Sequence, residues 1–150
     1  DASDAIMIAR GDLAVEMGST ELLARALMNR ATALIGLGDL TQAASVARIA
    51  VGLYAELDDT WDLVDALDVL AGALGRSGCT TEAGWLFGGA AGLRSALDVR
   101  RPVSEQRDYD AALLASREAD PEAFDTAYAD GTRASIRQIV ERAGALEVAT

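Results

Sequence analysis

Sliding the chain against itself by 40 positions superimposes residues 16–53 on residues 56–93, and this self-match limits the fold more than any other feature. Identical pairs include Glu16/Glu56, Thr20/Thr60, Leu23/Leu63, Ala26/Ala66, Leu27/Leu67, Ala31/Ala71, Leu34/Leu74, Gly38/Gly78, Ala43/Ala83, Ala50/Ala90 and Leu53/Leu93. A period of this length with two helical patterns per unit describes a helical hairpin that stacks on copies of itself. Leu23, Leu27, Ala31 and Leu34 recur every three or four residues, as do Leu63, Leu67, Leu70 and Leu74, so each set makes one apolar helix face. Gly38-Asp39 and Gly78-Cys79 punctuate a turn, after which Ala43, Ala47 and Ala50, or Ala83, Phe87 and Ala90, resume the spacing. The small residues let neighbouring helices approach closely, and Thr20 and Thr60 stand where helix N-caps are expected. The expected fold is all-α, a stack of helical hairpins with units at residues 20–57 and 60–96.

Composition agrees. The chain is 51% hydrophobic but only 5% aromatic and is rich in Ala and Leu, which favours close-packed helices over strands. Its 150 residues suffice for one domain with a core of its own. A formal charge of −11 repels phosphate backbones and anionic membranes, so direct nucleic-acid binding is not expected. The apolar runs are broken well short of a membrane span. Cys79 is the single cysteine and has no internal disulfide partner. With no signal-peptide pattern and no initiator Met before Asp1, the chain reads as a cytoplasmic segment of a longer protein.

After residue 96 the repeat stops and Pro102 marks a boundary. Ser104 can cap a helix to about Ala119. Asp120-Pro121 sets a capping carboxylate before a proline at the first helical position, and Gly131 separates a last helix to about Ala143. Residues 104–146 thus form an expected helical cap, and the whole chain about seven to eight helices. The repeat pattern resembles the tetratricopeptide repeat. Leu27, Asn29, Ala31, Leu34, Gly38, Asp39, Ala43 and Ala50 match it in the first unit, and Leu67, Leu70, Ala71, Leu74, Gly78, Ala83, Phe87 and Ala90 in the second. Arg30 departs from a usually apolar position, and the period exceeds the usual length of about 34 residues. From Thr60 onward the chain resembles the C-terminal end of large bacterial transcriptional regulators that join a DNA-binding domain, an ATPase and tetratricopeptide repeats. The residues that carry this are Ala66-Leu67, Leu70-Ala71, residues 83–90, Leu93-Arg94, Arg101-Pro102, Tyr109 and residues 124–131. The resemblance implies a sensor or scaffold role in signal transduction, with DNA and ATP bound by other domains.

Residues 2–16, by contrast, resemble the active-site segment of pyruvate kinase, in which an Arg-Gly-Asp turn follows a barrel strand. That resemblance implies a metal-ligating role for Asp12 beside Arg10 and Gly11. One carboxylate does not make a phosphoryl-transfer site, and the remaining segments of such an enzyme are absent. The competing reading makes residues 3–17 the second helix of a truncated repeat, with Met17-Gly18-Ser19 closing it as Leu57-Asp58-Asp59 closes the next unit. Gly11 is costly inside such a helix. Helix or strand at residues 5–10 discriminates the two.

The first helices of such hairpins would line a groove with Arg25, Met28, Thr32, Ile35, Asp65, Asp68 and Arg76, where a partner protein or another domain of the same chain would bind unless the C-terminal helices or further repeats cover it. Asp62, Asp65 and Asp68 make an acidic stripe, either solvated surface or a receiver of a basic peptide or cation. Trp61, Trp85 and Phe87 are recognition anchors or, the commoner case at helical spacing, packing residues. With no His in the chain, Cys79 supports neither a Cys–His nucleophile nor a Cys/His zinc site. The expectation is a non-enzymatic binding module without cofactor or metal, able to self-associate through its open N-terminal unit.

Overall fold

The computed structural model of the chain describes the backbone of residues 2–146 and the side chains of residues 15–146. Among these residues there are seven helices and no strands: α1 (Ala2–Leu37), α2 (Leu40–Glu56), α3 (Thr60–Arg76), α4 (Thr80–Leu97), α5 (Val103–Arg117), α6 (Pro121–Gly131) and α7 (Ile136–Ala145). No helix is long and apolar enough to cross a membrane among the described residues.

Helices α1 to α4 pack each on the next, joined by turns of two or three residues. Each of these three turns contains one residue in left-handed backbone, Gly38, Asp58 and Gly78, with φ of +83°, +52° and +96°, and Asp98, with φ of +53°, ends α4 in the same way. Glycine adopts that conformation freely and aspartate tolerates it. α2 and α3 then start from side-chain caps, whereas Cys79, the residue before α4, supplies none. Asp39 accepts from the Gln42 N–H and Asp59 from the Asp62 N–H. Thr60 is thus the first residue of α3 rather than its cap, because the aspartate one position earlier reaches the free amides first.

Thr20 does not cap a helix either. α1 runs unbroken through Met17-Gly18-Ser19, and the Thr20 hydroxyl donates to the Glu16 carbonyl one turn back. Residues 3–17 are therefore not a separate second helix closed by a turn at Gly18. The physical reason lies in the neighbours. α2 packs on α1, but Val15, Met17, Leu22 and Leu23 on either side of Gly18 stay exposed, so no burial there rewards a break and continuing the helix keeps the backbone amides bonded.

The core is Ala-rich in α2 and Leu-rich in α3, with Phe87 and Phe124 the largest fully buried side chains. α4 and α6 meet at nearly backbone contact. A Cβ on Gly84, Gly88 or Gly92 would lie 2.6, 2.1 or 2.6 Å from the carbonyl oxygens of Phe124, Tyr128 and Thr132, so only glycine fits along this row. α5 lies on α3 through Gly75, where a Cβ would overlap the buried Ser116. α5 begins at Val103 after Pro102, two residues earlier than a Ser104 cap implies. α6 starts as its sequence signals, with the Asp120 carboxylate accepting from the Ala123 N–H and Pro121 at the first position. A reciprocal Ser135/Gln138 capping box opens α7. Arg48 of α2 then donates to the carbonyls of Gly144 and Leu146 and ties the end of α7 to the repeat core.

Candidate interaction groove

A groove of about 580 Å³ runs between α1, α3 and α5. Its size falls within the roughly 300–1,000 Å³ usual for ligand sites. Of the seven residues expected to line it, Met28, Thr32, Ile35, Asp65, Asp68 and Arg76 do so. Arg25 does not. Its guanidinium pairs with Glu21 one turn earlier on α1. α5 does not fill the space but forms its third wall, with Glu105, Asp108, Tyr109 and Ala112.

α5 runs in the same direction as α3, since Gly72 faces Ala112 and Gly75 faces Ser116. This gives the groove a polarity. Asp65, Asp68, Glu105 and Asp108 gather towards the start of the two helices, Arg76 stands at the far end, and Met28, Ile35, Val69, Phe87 and Ala112 supply apolar surface. Among the described residues no ion pair engages Glu105, Asp108 or Arg76, all of which are exposed.

The acidic stripe of α3 is not simply solvated surface. Arg94 of α4 pairs with both Asp65 and Asp68, and Arg101 donates at 2.7 Å to the same Asp68 oxygen, Oδ2, that Arg94 contacts. The Arg101 guanidinium also stacks 3.3 Å from the Tyr109 ring centroid, and Tyr109 meets Phe87 edge-on. One cluster therefore ties α3, α4, the 98–102 loop and α5 together at the acidic end of the groove. Burial pushes the Asp68 carboxyl above its ordinary value, while the hydrogen bond from Arg101 and the charge of Arg94 act against that rise. Burial also raises the Tyr109 phenol, with the Asp68 charge adding to the shift. Asp68 Oδ1 and Arg94 Nε are buried without a hydrogen-bond partner.

Sequence reasoning missed Arg94, Arg101 and the α5 wall. A signal for Arg94 exists: at the repeat offset it occupies the register of Tyr54, which is buried in α2. A charge where the other unit buries a ring requires a partner, and Asp65 and Asp68 are within reach on the preceding helix.

The aromatic candidates separate. Phe87 is core, Trp85 is half-buried under the Arg142 guanidinium, which itself grips Glu82 through two hydrogen bonds, and Trp61 is exposed at the start of α3. Cys79 is exposed in the α3–α4 turn. Residues 5–12 are helical within α1, so the strand and turn that the pyruvate kinase resemblance implies are not formed there; the side chain of Asp12 lies outside the described residues. Among the described residues no group of three or more His, Cys, Asp or Glu side chains could hold a metal ion. Comparison with protein-family models, with curated proteins and with solved structures finds no match.

Proposed function

We propose that the chain is a non-catalytic interaction module of the tetratricopeptide type, in which α1–α4 are two repeat hairpins and α5–α7 a closing cap, and that the α1/α3/α5 groove receives a segment of another protein or of another domain of the same chain. The observation that carries this is the groove itself. It is open, apolar along its length, acidic at one end and basic at the other, and it is held in shape by the Asp68 ion cluster rather than filled by side chains. Surfaces of that kind are suited to directional binding of an elongated segment, with apolar side chains supplying affinity and the terminal charges fixing orientation. The role of such a module in a bacterial transcriptional regulator is that of a sensor or scaffold: occupancy of the groove would report on a partner, while DNA and nucleotide are handled elsewhere.

Selection of a random-peptide phage library on the immobilised chain tests the groove. Enriched peptides are expected to lose binding to Thr32→Trp, which fills the groove from an exposed position, and to keep it for Gln42→Trp, an exposed position on α2 outside the groove. Peptides that bind both variants alike, or a selection that enriches nothing, would remove this reading.

A further inference from the structure

Left-handed backbone ends a helix at Gly38, Asp58, Gly78 and Asp98, one every twenty residues. The next position of that series towards the N-terminus is Gly18, which lies inside α1 with open space where a Cβ would stand. The helix expected to fold back at Gly18 instead continues straight, and a face is left bare. On α3, Leu63, Ala66, Leu70 and Ala73 are exposed by 1% or less. Their counterparts on α1 are Leu23, Ala26, Arg30 and Ala33, all exposed, Leu23 at 51%, with Leu22 beside it at 65%. α3 has a helix before it and, among the described residues, this part of α1 has none, so the positions that differ in burial are those a preceding helix covers. α2 plays that part for α3.

The repeat offset also identifies what would play it for α1. Residues 2–17 stand in the register of α2. The turn at Asp58 sets residues 44–47 level with residues 70–73, and at these levels the bare face and the candidate helix depart from the apolar pattern with opposite charges. Arg30 stands where α3 has Leu70, and Asp4 where α2 has Ala44. Two departures of opposite sign, within about one helical turn of each other across one interface, compensate each other.

We infer that α1 pairs antiparallel with α1 of a second copy of the chain, residues 2–17 of each copy covering the Leu23/Ala26/Arg30/Ala33 face of the other, with the two Gly18 residues at the centre. Two straight helices crossing there reproduce the α2–α3 levels reciprocally, so the arrangement is a two-fold exchange of the helix that would otherwise fold back. It uses a face of α1 other than the one that lines the groove and stands or falls independently of the groove's function.

Light scattering on the 150-residue chain over a concentration series is expected to show a dimer. Arg30→Glu, at an exposed position, raises the dimer dissociation constant by about tenfold or more, and adding Asp4→Arg to it brings the constant back. Gly18→Ala, which favours the unbroken helix, leaves the dimer intact. For placement, Met7→Cys with Ala33→Cys in a Cys79→Ser background is treated with a short bismaleimide. The two positions are 26 residues apart, about 39 Å along one helix, beyond the reach of the reagent within one copy. Dimer-sized product is expected. A monomer at all concentrations, an intrachain bridge from folding back at Gly18, or failure of Asp4→Arg to restore the Arg30→Glu dimer would each overturn the inference.

Discussion

Gly88→Ala isolates what the α4–α6 contact contributes. The added Cβ would stand 2.1 Å from the Tyr128 carbonyl oxygen, 2.8 Å from its carbon and 3.0 Å from its Cα. An ordinary carbon–oxygen approach is about 3.3 Å or more, so the helices must part by roughly 1 Å. The obstructing atoms are backbone and no rotamer change relieves them. Parting also loosens the flanking contacts at Gly84 and Gly92, where a Cβ would have 2.6 Å to the facing carbonyl oxygen. Overpacking of this kind costs about 1–3 kcal/mol and occasionally more, and the backbone obstruction places it at the upper end. The better helix propensity of alanine offsets about 1 kcal/mol. A net loss of about 2 kcal/mol lowers the melting temperature by roughly 4–8 °C for a domain of this size. Thermal unfolding followed by circular dichroism reads this directly. Gly52→Ala is the matched control, a glycine inside α2 whose added Cβ meets nothing within 4 Å, and it should raise stability by about 0.5–1 kcal/mol. If Gly88→Ala melts no lower than the parent, or Gly52→Ala falls as far, backbone contact is not what holds α6 on α4.

Three further outcomes follow from the ion cluster and the caps. Asp68→Ala leaves Arg101 without its carboxylate in a half-buried setting and should cost about 3–5 kcal/mol, read as a fall in the urea midpoint. Tyr109 has a phenol raised above its ordinary value of 10.0, so the folded chain holds that proton while the unfolded chain begins to lose it. Its contribution to stability is complete below pH 10 and declines as the pH rises towards the higher folded-state value. Melting temperature should therefore drop more steeply above pH 10 in the parent than in Tyr109→Phe, and equal slopes would contradict the assignment. Ser135→Ala removes half of the capping box of α7 and should cost about 1 kcal/mol, whereas Ser104→Ala, lying inside α5 rather than at its cap, should cost less when the two melts are compared.

The repeat was readable because its determinants are local and recur. Leu and Ala at helical spacing and a glycine able to take left-handed backbone each act within a few residues, and the 40-residue offset sets them beside a second example. The capping aspartates Asp39 and Asp59 have no counterpart at that offset, which points instead to Thr20 and Thr60 as caps. The first-helix residues lining the groove followed from the same register. Gly18 was misread because a glycine permits a turn without requiring one. The neighbours decide, and they lie elsewhere in the chain. The acidic stripe was misread for a related reason: Asp65 and Asp68 acquire their meaning from Arg94 and Arg101, 26 to 33 residues away, and of the two only Arg94 leaves a trace in the repeat register. The third wall of the groove comes from α5, where no repeat exists to predict which face it presents.

The glycine row of α4 also sets a problem of alignment. Gly84, Gly88 and Gly92 face the carbonyls of Phe124, Tyr128 and Thr132, two series with the same four-residue step. Sliding α6 by one turn, about 5.4 Å, would again seat glycines against carbonyls over most of the contact. The row brings the helices together without saying which rung meets which. Register must then come from contacts that do not repeat: the Phe124 ring against Phe87, Gly131 against the Trp85 carbonyl, and the two-pronged grip of Arg142 on Glu82. In this cap the tightest contact supplies proximity, and a few side chains at its margins supply position.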